Sequence, residues 1–436
     1  MAMLNSKQAV DNTIGARLNS RENNFDALRL VAAFAVIFSH AYPIRDGGRD
    51  LEPYWRLSGY CTFGEISVAI FFVVSGLLVA RSFISDPHAG SFLKKRLLRI
   101  LPGLIACVAF CVFIVGPIFT TYSVRAYFGD RDLLRFARNA LLLPARFDLP
   151  GVFEQYSLAD PRSAVNGSLW SLPLEFLMYL GVLVLGMTGL LKRKGCLVLL
   201  ATALIVQWLV IERIGFAPGT ILFKYRVWFE QLPHLGFVFF GGTLMLLFKD
   251  SIVLDWRYFT ACAGVIALSW QGTFEAIFNM IGHPELIGRV TTQPPHGYFI
   301  FSVCLPYMVM YLAFVRVSLL KPILQSVTKW GDFSYGVYLY GYPVEQMLFR
   351  TWGHKLPFPA FIGLACLGTL LLAMLSWHLV EKPFLKFKKS STGGQKRNVD
   401  LEQPKVELDA SGAVAARPPV SMQRQYSIMR QVIFFV

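Results

Sequence analysis

The sequence predicts an all-α, polytopic membrane protein with about ten transmembrane helices and no separate soluble domain. Of its 436 residues, 55% are hydrophobic and only 16% are charged, whereas soluble domains carry about 25% charged residues. The apolar runs are continuous over about 17–25 residues and do not alternate, which favours helices over a β-barrel. We therefore expect most of the chain to lie in lipid.

Ten apolar runs are candidate transmembrane spans, and the charges between them predict an orientation. Lys and Arg concentrate in short loops on one side, as in the cluster at 94–99 and at 192–194. The positive-inside rule places this side, with both termini, in the cytoplasm. The candidate spans are 25–44, 64–84, 100–120, 167–187, 195–213, 233–249, 256–272, 296–316, 331–350 and 357–379.

Three regions follow from this pattern. We expect a cytoplasmic N-terminal segment at 1–23, a transmembrane domain at 24–385 and a cytoplasmic tail of low order at 386–436. The longest loop on the opposite side, 121–166, is too short for a sizeable domain. It can form a cap over the extracytoplasmic mouth of the bundle.

The charge and the cysteines exclude other classes of protein. The net charge of +15 follows from the basic loops of a membrane protein, so nucleic-acid binding is not predicted. Most of the seven cysteines lie inside apolar runs, and no zinc-type cluster occurs. We therefore predict neither a disulfide framework nor a metal site.

His40 is the first candidate functional residue, because an ionisable group inside an apolar run costs about 3 kcal/mol on insertion scales. Asp26, Arg29 and His40 share one helix face, with His40 about 21 Å along the axis from Asp26. This face predicts an Asp26–Arg29 ion pair at the cytoplasmic end and an imidazole near the far end. His40 is then either a general base or a histidine satisfied at the interface.

Glu175 is the second candidate. The segment from Asn166 to Phe176 enters from the opposite side, and Glu175 lies about two turns inside it. At that depth its carboxylate could orient His40 and stabilise the protonated imidazole. A buried glutamate paired to an arginine is the alternative.

Arg96 and Arg99 form the third candidate site. They lie three residues apart on one helix face, where two guanidinium groups suit bidentate phosphate recognition. An ordinary positive-inside cluster would look the same. Arg81 lies near the same rim and could join them. Ser75 and Gly76, just before it, thin a helix and let another backbone approach closely.

Together these motifs resemble the acyltransferase-3 family of bacterial membrane O-acyltransferases, over about residues 24–385. The first span is similar to the family's first span, which ends in an essential histidine, here His40. Gly341 stands where many members carry a histidine, so the ninth span is not credited with a second catalytic histidine. The matching motifs are FDALR at 25–29, FFVVSG at 71–76, RLLRILP at 96–102, NGSLWSLPLE at 166–175, FSYGVYLYGYP at 333–343 with Tyr335 and Pro343, and EKP at 381–383.

The resemblance implies transfer of an acyl group, with acetyl favoured, from cytoplasmic acetyl-CoA to a hydroxyl of an extracytoplasmic or lipid-linked glycan. It also implies a bacterial inner membrane. His40 would deprotonate the hydroxyl or first carry the acyl group itself, and Glu175 would orient it. The coenzyme would be held by Arg96 and Arg99 with Arg29 and Arg81, and the glycan by Asn166, Ser168 and Trp170.

Two other functions remain open from the sequence. A transporter or a flippase for a lipid-linked sugar also needs many spans, but no repeat symmetry is evident. A scaffold subunit among polysaccharide-assembly proteins would not depend on His40. The sequence does not distinguish exopolysaccharide, O-antigen, a lipid-linked repeat unit or a signalling oligosaccharide as the acceptor, nor acetyl from succinyl.

Overall fold

The computed structural model describes residues 12–19, 23–143, 146–156, 160–214, 226–280, 282, 295–315 and 331–387. Within these ranges the chain is helical and has no β-strand, which confirms the predicted all-α class. The helices are α1 (Ile14–Asn19), α2 (Phe25–Ala41), α3 (Pro53–Ser58), α4 (Phe63–Ser85), α5 (Ala89–Phe110), α6 (Val124–Gly129), α7 (Arg131–Ala137), α8 (Ser171–Met187), α9 (Lys194–Ile214), α10 (Arg226–Leu247), α11 (Trp256–Leu268), α12 (Gln271–Met280), α13 (Pro295–Phe314), α14 (Ser334–Trp352) and α15 (Phe358–Ser376).

Helices occur at all ten predicted spans, and within the described ranges six apolar segments are long enough to cross a bilayer. The protein is therefore a multi-pass membrane protein. Helix α14 is not one of these six segments, because its many Gly and Tyr residues lower its mean hydropathy. Every residue from Ser334 to Gln346 is nevertheless buried. It is a helix enclosed by other helices rather than by lipid. The six segments are Phe25–Asp46, Phe63–Ser85, Ala89–Phe119, Gly167–Met187, Gly297–Phe314 and Phe358–Lys386.

Helix α4 lies at the centre of the bundle, packed against α2, α8, α10 and α13. Its contact with α10 depends on glycine, as predicted for Ser75-Gly76. A Cβ added at Gly76 would lie 1.8 Å from the carbonyl oxygen of Phe239, and one at Gly242 would lie 2.1 Å from that of Val73. Glycine at both contacts lets the two backbones touch directly.

The start of α4 is fixed by hydrogen bonds that its own sequence supplies. The Thr62 side chain accepts from the backbone N–H of Glu65 at 3.2 Å, and the Glu65 carboxylate accepts from the N–H of Thr62 at 2.8 Å. This capping box satisfies helix donors that have no partner within the helix. It also fixes Thr62 and Glu65 at the end of the bundle where α2 terminates.

Helix α5 begins at Ala89, well before the predicted start near residue 100. The basic cluster at 94–99 suggested a loop, whereas the structure places these residues inside the helix. Because Arg96 and Arg99 lie within an α-helix, they occupy neighbouring positions on one face. Helix α5 packs against α8, α14 and the turn after α15.

The segment 121–166, predicted to form a cap, is built from short helices and turns in its described parts. Residues 121–143, 146–156 and 160–166 form the short helices α6 and α7 and several turns. An isolated bridge joins Thr120, directly before this segment, to Val152 within it. The predicted tail, 386–436, lies outside the described residues beyond Phe387, as does most of the N-terminal segment, 1–23.

Candidate active site

A cavity of about 1190 Å³ lies where α2 ends and α4 begins. We call this end of the bundle, marked by His40, the histidine end. The opposite end, marked by Arg29, Arg96 and Arg99, is the arginine end. The cavity lining includes Ser39, His40, Thr62, Val68, Trp170, Pro173, Tyr338 and Tyr342, and its charged members are Arg49, Glu65, Arg135, Arg138, Arg146, Asp148 and Asp160.

His40 lies in the last turn of α2 and lines this cavity. Its ring meets the Tyr342 ring edge to face, with centroids 5.1 Å apart and an interplanar angle of 74°. Its Nδ1 is buried and has no hydrogen-bond partner in the part of the chain that the structure describes. Because the residue lines the cavity and no described group binds this nitrogen, the imidazole is a candidate to take a proton from a bound molecule.

Tyr338 and Tyr342 of α14 line the cavity beside His40 and are fixed by hydrogen bonds to the backbone. The hydroxyl of Tyr338 donates to the backbone oxygen of Ser168 at 2.8 Å, and that of Tyr342 donates to the backbone oxygen of Pro161. Gly167 permits this packing, because a Cβ there would lie 2.7 Å from the Tyr342 ring. These bonds tie α14 to the chain that leads into α8.

Of the three predicted glycan contacts, only Trp170 lines the cavity. Asn166 and Ser168 are 0% and 1% exposed, so the prediction that they touch the acceptor is wrong for this structure. The Asn166 side chain accepts from the backbone N–H of Ser168 and donates to the backbone oxygen of Leu339 at 3.0 Å. Both of its polar atoms are therefore occupied within the protein.

The bond from Asn166 to Leu339 has a cause in the sequence. A helical carbonyl normally accepts from the N–H four residues later, and the residue four after Leu339 is Pro343, which has no N–H. The Asn166 amide thus supplies the donor that Pro343 lacks. Two of the family-like motifs, NGSLW and YGYP, meet at this carbonyl.

Glu175 does not contact His40, contrary to prediction. Its carboxylate accepts hydrogen bonds from the Ser75 hydroxyl at 2.9 Å and from the Tyr179 hydroxyl. Helix rotation explains the difference: Pro173 lines the His40 cavity, and Glu175 lies about 200° further round α8. The predicted catalytic pair is therefore not formed in the structure.

At the arginine end, Arg29 and Arg99 share one carboxylate. Arg29 Nη1 lies 3.0 Å from Asp332 Oδ2, Arg99 Nη2 binds the same oxygen at 2.5 Å, and Arg99 Nη1 lies 3.8 Å from Glu381 Oε2. The predicted Asp26–Arg29 pair is wrong: Asp26 is exposed and forms no ion pair within the described ranges. Arg29 points instead into the bundle, toward Asp332.

Tyr335 of α14 contacts this cluster and α5. Its hydroxyl donates to the backbone oxygen of Ile100 at 2.8 Å, and its ring lies 5.5 Å from the Arg99 guanidinium carbon. The hydrogen bond joins the start of α14 to α5. It fixes the side of α5 on which Arg99 reaches Asp332.

Arg96 differs from its neighbour Arg99. No described carboxylate pairs with it, and its buried Nε has no partner there. Its guanidinium carbon lies 5.9 Å from the Tyr179 ring, whose hydroxyl donates to Glu175. Arg96 is therefore held by an aromatic face while its hydrogen-bond donors stay available. Arg81 is exposed on α4 and forms no ion pair in the described part of the chain.

The two ends are connected through Phe71 of α4. The Arg29 guanidinium carbon lies 5.7 Å from the Phe71 ring, and the Phe71 and Tyr338 ring centroids are 5.8 Å apart. Tyr338 in turn lines the cavity that contains His40. A continuous line of side chains thus runs from the arginine end to the histidine end.

Sequence reasoning missed Asp332, the carboxylate on which Arg29 and Arg99 converge. The available signal was a lone carboxylate directly before the FSYGVYLYGYP motif, at the predicted edge of a span. It also missed Tyr338 and Tyr342, whose hydroxyls could have been flagged as polar groups within an apolar run. Their partners come from residues far away in the chain, which no local pattern identifies.

Comparison with known proteins places these features in a family. The chain is 29% identical over 373 residues to an O-acetyl transferase of Shigella phage Sf6, covering 84% of this chain and 96% of that protein. It is 29% identical over 386 residues to nodulation protein 10 of Rhizobium leguminosarum bv. viciae, covering 85% and 95%. No solved structure matches the chain. The acyltransferase domain model of the acyltransferase-3 family matches residues 22–378, and the chain therefore belongs to this family of acyltransferases.

Proposed function

We propose that the protein transfers an acetyl group from cytoplasmic acetyl-CoA to a hydroxyl of a glycan on the other face of the inner membrane. One observation carries the proposal: an arginine with available donors and a histidine with an unpartnered nitrogen lie toward opposite ends of one bundle. A donor and an acceptor that meet across a membrane require this arrangement. The acetyl group is favoured because one relative is named an O-acetyl transferase.

The arginine end is the proposed donor site. Coenzyme A carries several phosphates, and guanidinium groups bind phosphate oxygens in a bidentate manner. Asp332 already neutralises part of the charge of Arg29 and Arg99. Arg96, which no described carboxylate pairs, is therefore the first ligand that we assign to a phosphate. Arg29 and Arg99 complete the site, and Arg81 lies exposed at its rim.

The basic loops support a cytoplasmic arginine end. Lys94 and Lys95 precede the two arginines in α5, and Lys192 and Arg193 directly precede α9, which begins at Lys194. Lysine and arginine are enriched in cytoplasmic loops. This orientation places the proposed donor site where acetyl-CoA is made, and the histidine end where exported glycans are found.

The distance between the ends suits a long, thin donor arm. Arg29 and His40 lie on the same helix, eleven residues or about 16 Å apart along its axis. The pantetheine arm of coenzyme A could cover this distance between helices, past Phe71 and Tyr338. Its thioester would then reach the cavity beside His40.

Two routes are open at His40. As a general base, the imidazole takes the proton of the glycan hydroxyl while the oxygen attacks the thioester carbonyl. The carbon–sulfur bond then breaks, and the coenzyme leaves as a thiol with the proton from the imidazolium. As a nucleophile, the imidazole attacks the thioester carbonyl, the carbon–sulfur bond breaks and the coenzyme leaves as a thiolate. The glycan hydroxyl then attacks the acetyl-imidazole, the carbon–nitrogen bond breaks, and the hydroxyl proton passes to the thiolate. In both routes Tyr342 limits the rotation of the ring.

Glu175 takes a different proposed role from the one that its depth suggested. Through Tyr179 it supports the ring beneath Arg96, and through Ser75 it joins α8 to α4. We therefore assign Glu175 to positioning the donor site. A Glu175→Gln change should raise the donor KM and leave the pH dependence of kcat unchanged. If Glu175 oriented His40 instead, the same change would shift that pH dependence.

The cavity composition supports a glycan acceptor. Trp170, Tyr338 and Tyr342 contribute aromatic surface, and indole and phenol rings pack well against the apolar faces of sugars. Polar and charged side chains of the same cavity can bind sugar hydroxyls. Partners among polysaccharide-assembly proteins would deliver such a chain.

The test is the ester-bound acetyl content of isolated cell-surface glycans. Cells with the wild-type protein, with His40→Ala and with no protein are compared, and His354→Ala serves as a control. His354 is a histidine at the same end of the bundle, 67% exposed and outside the cavity lining. We expect acetyl to disappear with His40→Ala and to persist with His354→Ala, at equal protein levels in the membrane.

Two outcomes would contradict the proposal. Unchanged acetyl with His40→Ala would remove His40 from the chemistry. Unchanged acetyl with a lost or shortened glycan in cells without the protein would indicate a transporter or an assembly subunit.

The donor site has a separate test. Arg96→Ala should raise the KM for acetyl-CoA about tenfold, the effect of losing one charge-assisted contact of about 1.4 kcal/mol. The acceptor KM should stay unchanged. Arg257→Ala is the control, since Arg257 is exposed at the start of α11 and carries the same charge. A larger change in the acceptor KM than in the donor KM would refute the assignment.

A further inference from the structure

The cap segment brings an unusual number of arginines to the histidine end. Arg135, Arg138 and Arg146 line the cavity from this segment, and Arg49 lines it from the turn before α3. On the proposed orientation these arginines lie in exported segments, where basic residues are normally depleted. Their position therefore calls for a role other than membrane topology.

The carboxylates of the cavity are already engaged. Arg146 binds Asp148 through two nitrogens, at 3.1 and 2.7 Å. The Asp160 carboxylate binds Arg162 at 2.7 Å, and Glu65 is held by the capping box of α4. These contacts leave little negative charge to balance further arginines of the lining.

Three arginines remain wholly or partly available. Arg138 is exposed, and its side chain has no ion pair or hydrogen bond in the part of the chain that the structure describes. Arg135 shares Asp132 with Arg146, and its side chain is 56% exposed. Arg49 stacks 3.8 Å from the Trp55 ring and reaches Glu65 only at 3.4 Å, with its side chain 52% exposed.

We propose that this cavity selects an anionic acceptor, a glycan that carries a carboxylate or phosphate group, with Arg138 as the principal contact to that group. The inference rests on the proposed function and adds the substrate class to it. The aromatic side chains, Trp170 among them, pack against the sugar while Arg138 binds the oxyanion. The cavity thereby chooses acceptors by charge as well as by shape.

The experiment uses the detergent-solubilised full-length protein, radiolabelled acetyl-CoA and surface polysaccharide from cells that lack the protein. The polysaccharide is supplied untreated, with its carboxyl groups reduced to alcohols, or with its phosphates removed. We expect the untreated polysaccharide to accept acetyl and one treated form to accept at least tenfold less. The treatment that abolishes transfer identifies the source of the anion.

The variants assign the effect to a residue. Arg138→Gln should raise the KM for the untreated polysaccharide about tenfold, leave the acetyl-CoA KM unchanged, and have no effect with the inactive treated form. Arg138→Lys should keep most of the affinity. Arg131→Gln is the matched control, because Arg131 begins α7, is exposed and lies outside the cavity lining.

Equal transfer to all three polysaccharides, or equal effects of Arg138→Gln and Arg131→Gln, would overturn the inference and leave the acetyltransferase proposal intact. No transfer by the wild-type protein to any of them would refute the proposed function, and the inference with it.

Discussion

The pairing of Asn166 with the carbonyl that Pro343 leaves open makes a sharp prediction. Asn166→Ala removes the amide that donates to Leu339, whose carbonyl cannot receive a bond from its own helix. It also removes the cap on the N–H of Ser168. Cys107 is then the remaining partner of that carbonyl, and its thiol is a weak donor.

The magnitude follows from these two losses. The cost of a buried carbonyl that has lost its partner is about 1–3 kcal/mol, and the weak Cys107 thiol offsets little of it. A lost Asn cap costs about 1 kcal/mol. Asn166→Ala should therefore destabilise the folded protein by about 2–4 kcal/mol. The carbonyl contribution should vanish when Pro343 is replaced by alanine, because residue 343 then donates to Leu339 within the helix.

A double-mutant cycle measures this coupling. The wild type, Asn166→Ala, Pro343→Ala and the double variant are unfolded by titrating a denaturing detergent into micelles, and the four free energies of unfolding are compared. We expect Asn166→Ala to cost about 1–3 kcal/mol less in the Pro343→Ala background. An equal cost in both backgrounds would refute the reasoning, and a rise in the acceptor KM without loss of stability would restore Asn166 as a substrate contact.

Three further predictions concern the packing and the charges. Asp332→Asn should destabilise the protein by about 3 kcal/mol, because it leaves two half-buried arginines without the carboxylate that they share. Equal thermal stability of this variant and the wild type in detergent would contradict this prediction. Gly76→Ala should lower the free energy of unfolding by about 2 kcal/mol through overpacking. Gly363→Ala is the control, because a Cβ added at Gly363 would meet nothing within 4 Å, and it should not lower that free energy. Equal losses in the two variants would show that close packing is not the cause. Hydrogen bonds from Arg162 hold the pKa of Asp160 below its ordinary value of 3.8. The ionised carboxylate therefore stabilises the folded protein above pH 3.8. This stabilisation is lost as the pH falls through the lower pKa of the folded state. Thermal stability between pH 5 and 3 should therefore fall less for Asp160→Asn than for the wild type, and identical pH profiles would exclude the effect.

The sequence located the site better than it located the contacts within it. His40 and Trp170, two residues that the sequence singled out, line one cavity. An ionisable or amphipathic residue at the end of an apolar run is visible in the chain itself. The pairing of Glu175 with His40 failed for a geometric reason. Depth along a helix can be counted from the sequence, whereas the direction in which Glu175 faces depends on how α8 is rotated in the bundle.

The same reason separates Arg96 from Arg99. Their spacing predicts one helix face, and the structure confirms that face. Asp332 pairs with Arg99 and leaves Arg96 available, although it lies 233 residues away from Arg99 in the chain. Local spacing carries no information about a partner so distant.

The sequence by itself determined the helical class, the membrane location and the family, because hydropathy and ordered motifs are properties of the chain alone. Tertiary structure decided which polar groups are available for chemistry. In a bundle, each polar group must find a partner among helices that are remote in sequence. The Asn166 amide binds the carbonyl of Leu339, which Pro343 leaves without a helical donor, and we therefore assign it a structural role. His40 found none among the described residues, and it remains the residue to which we assign the chemistry.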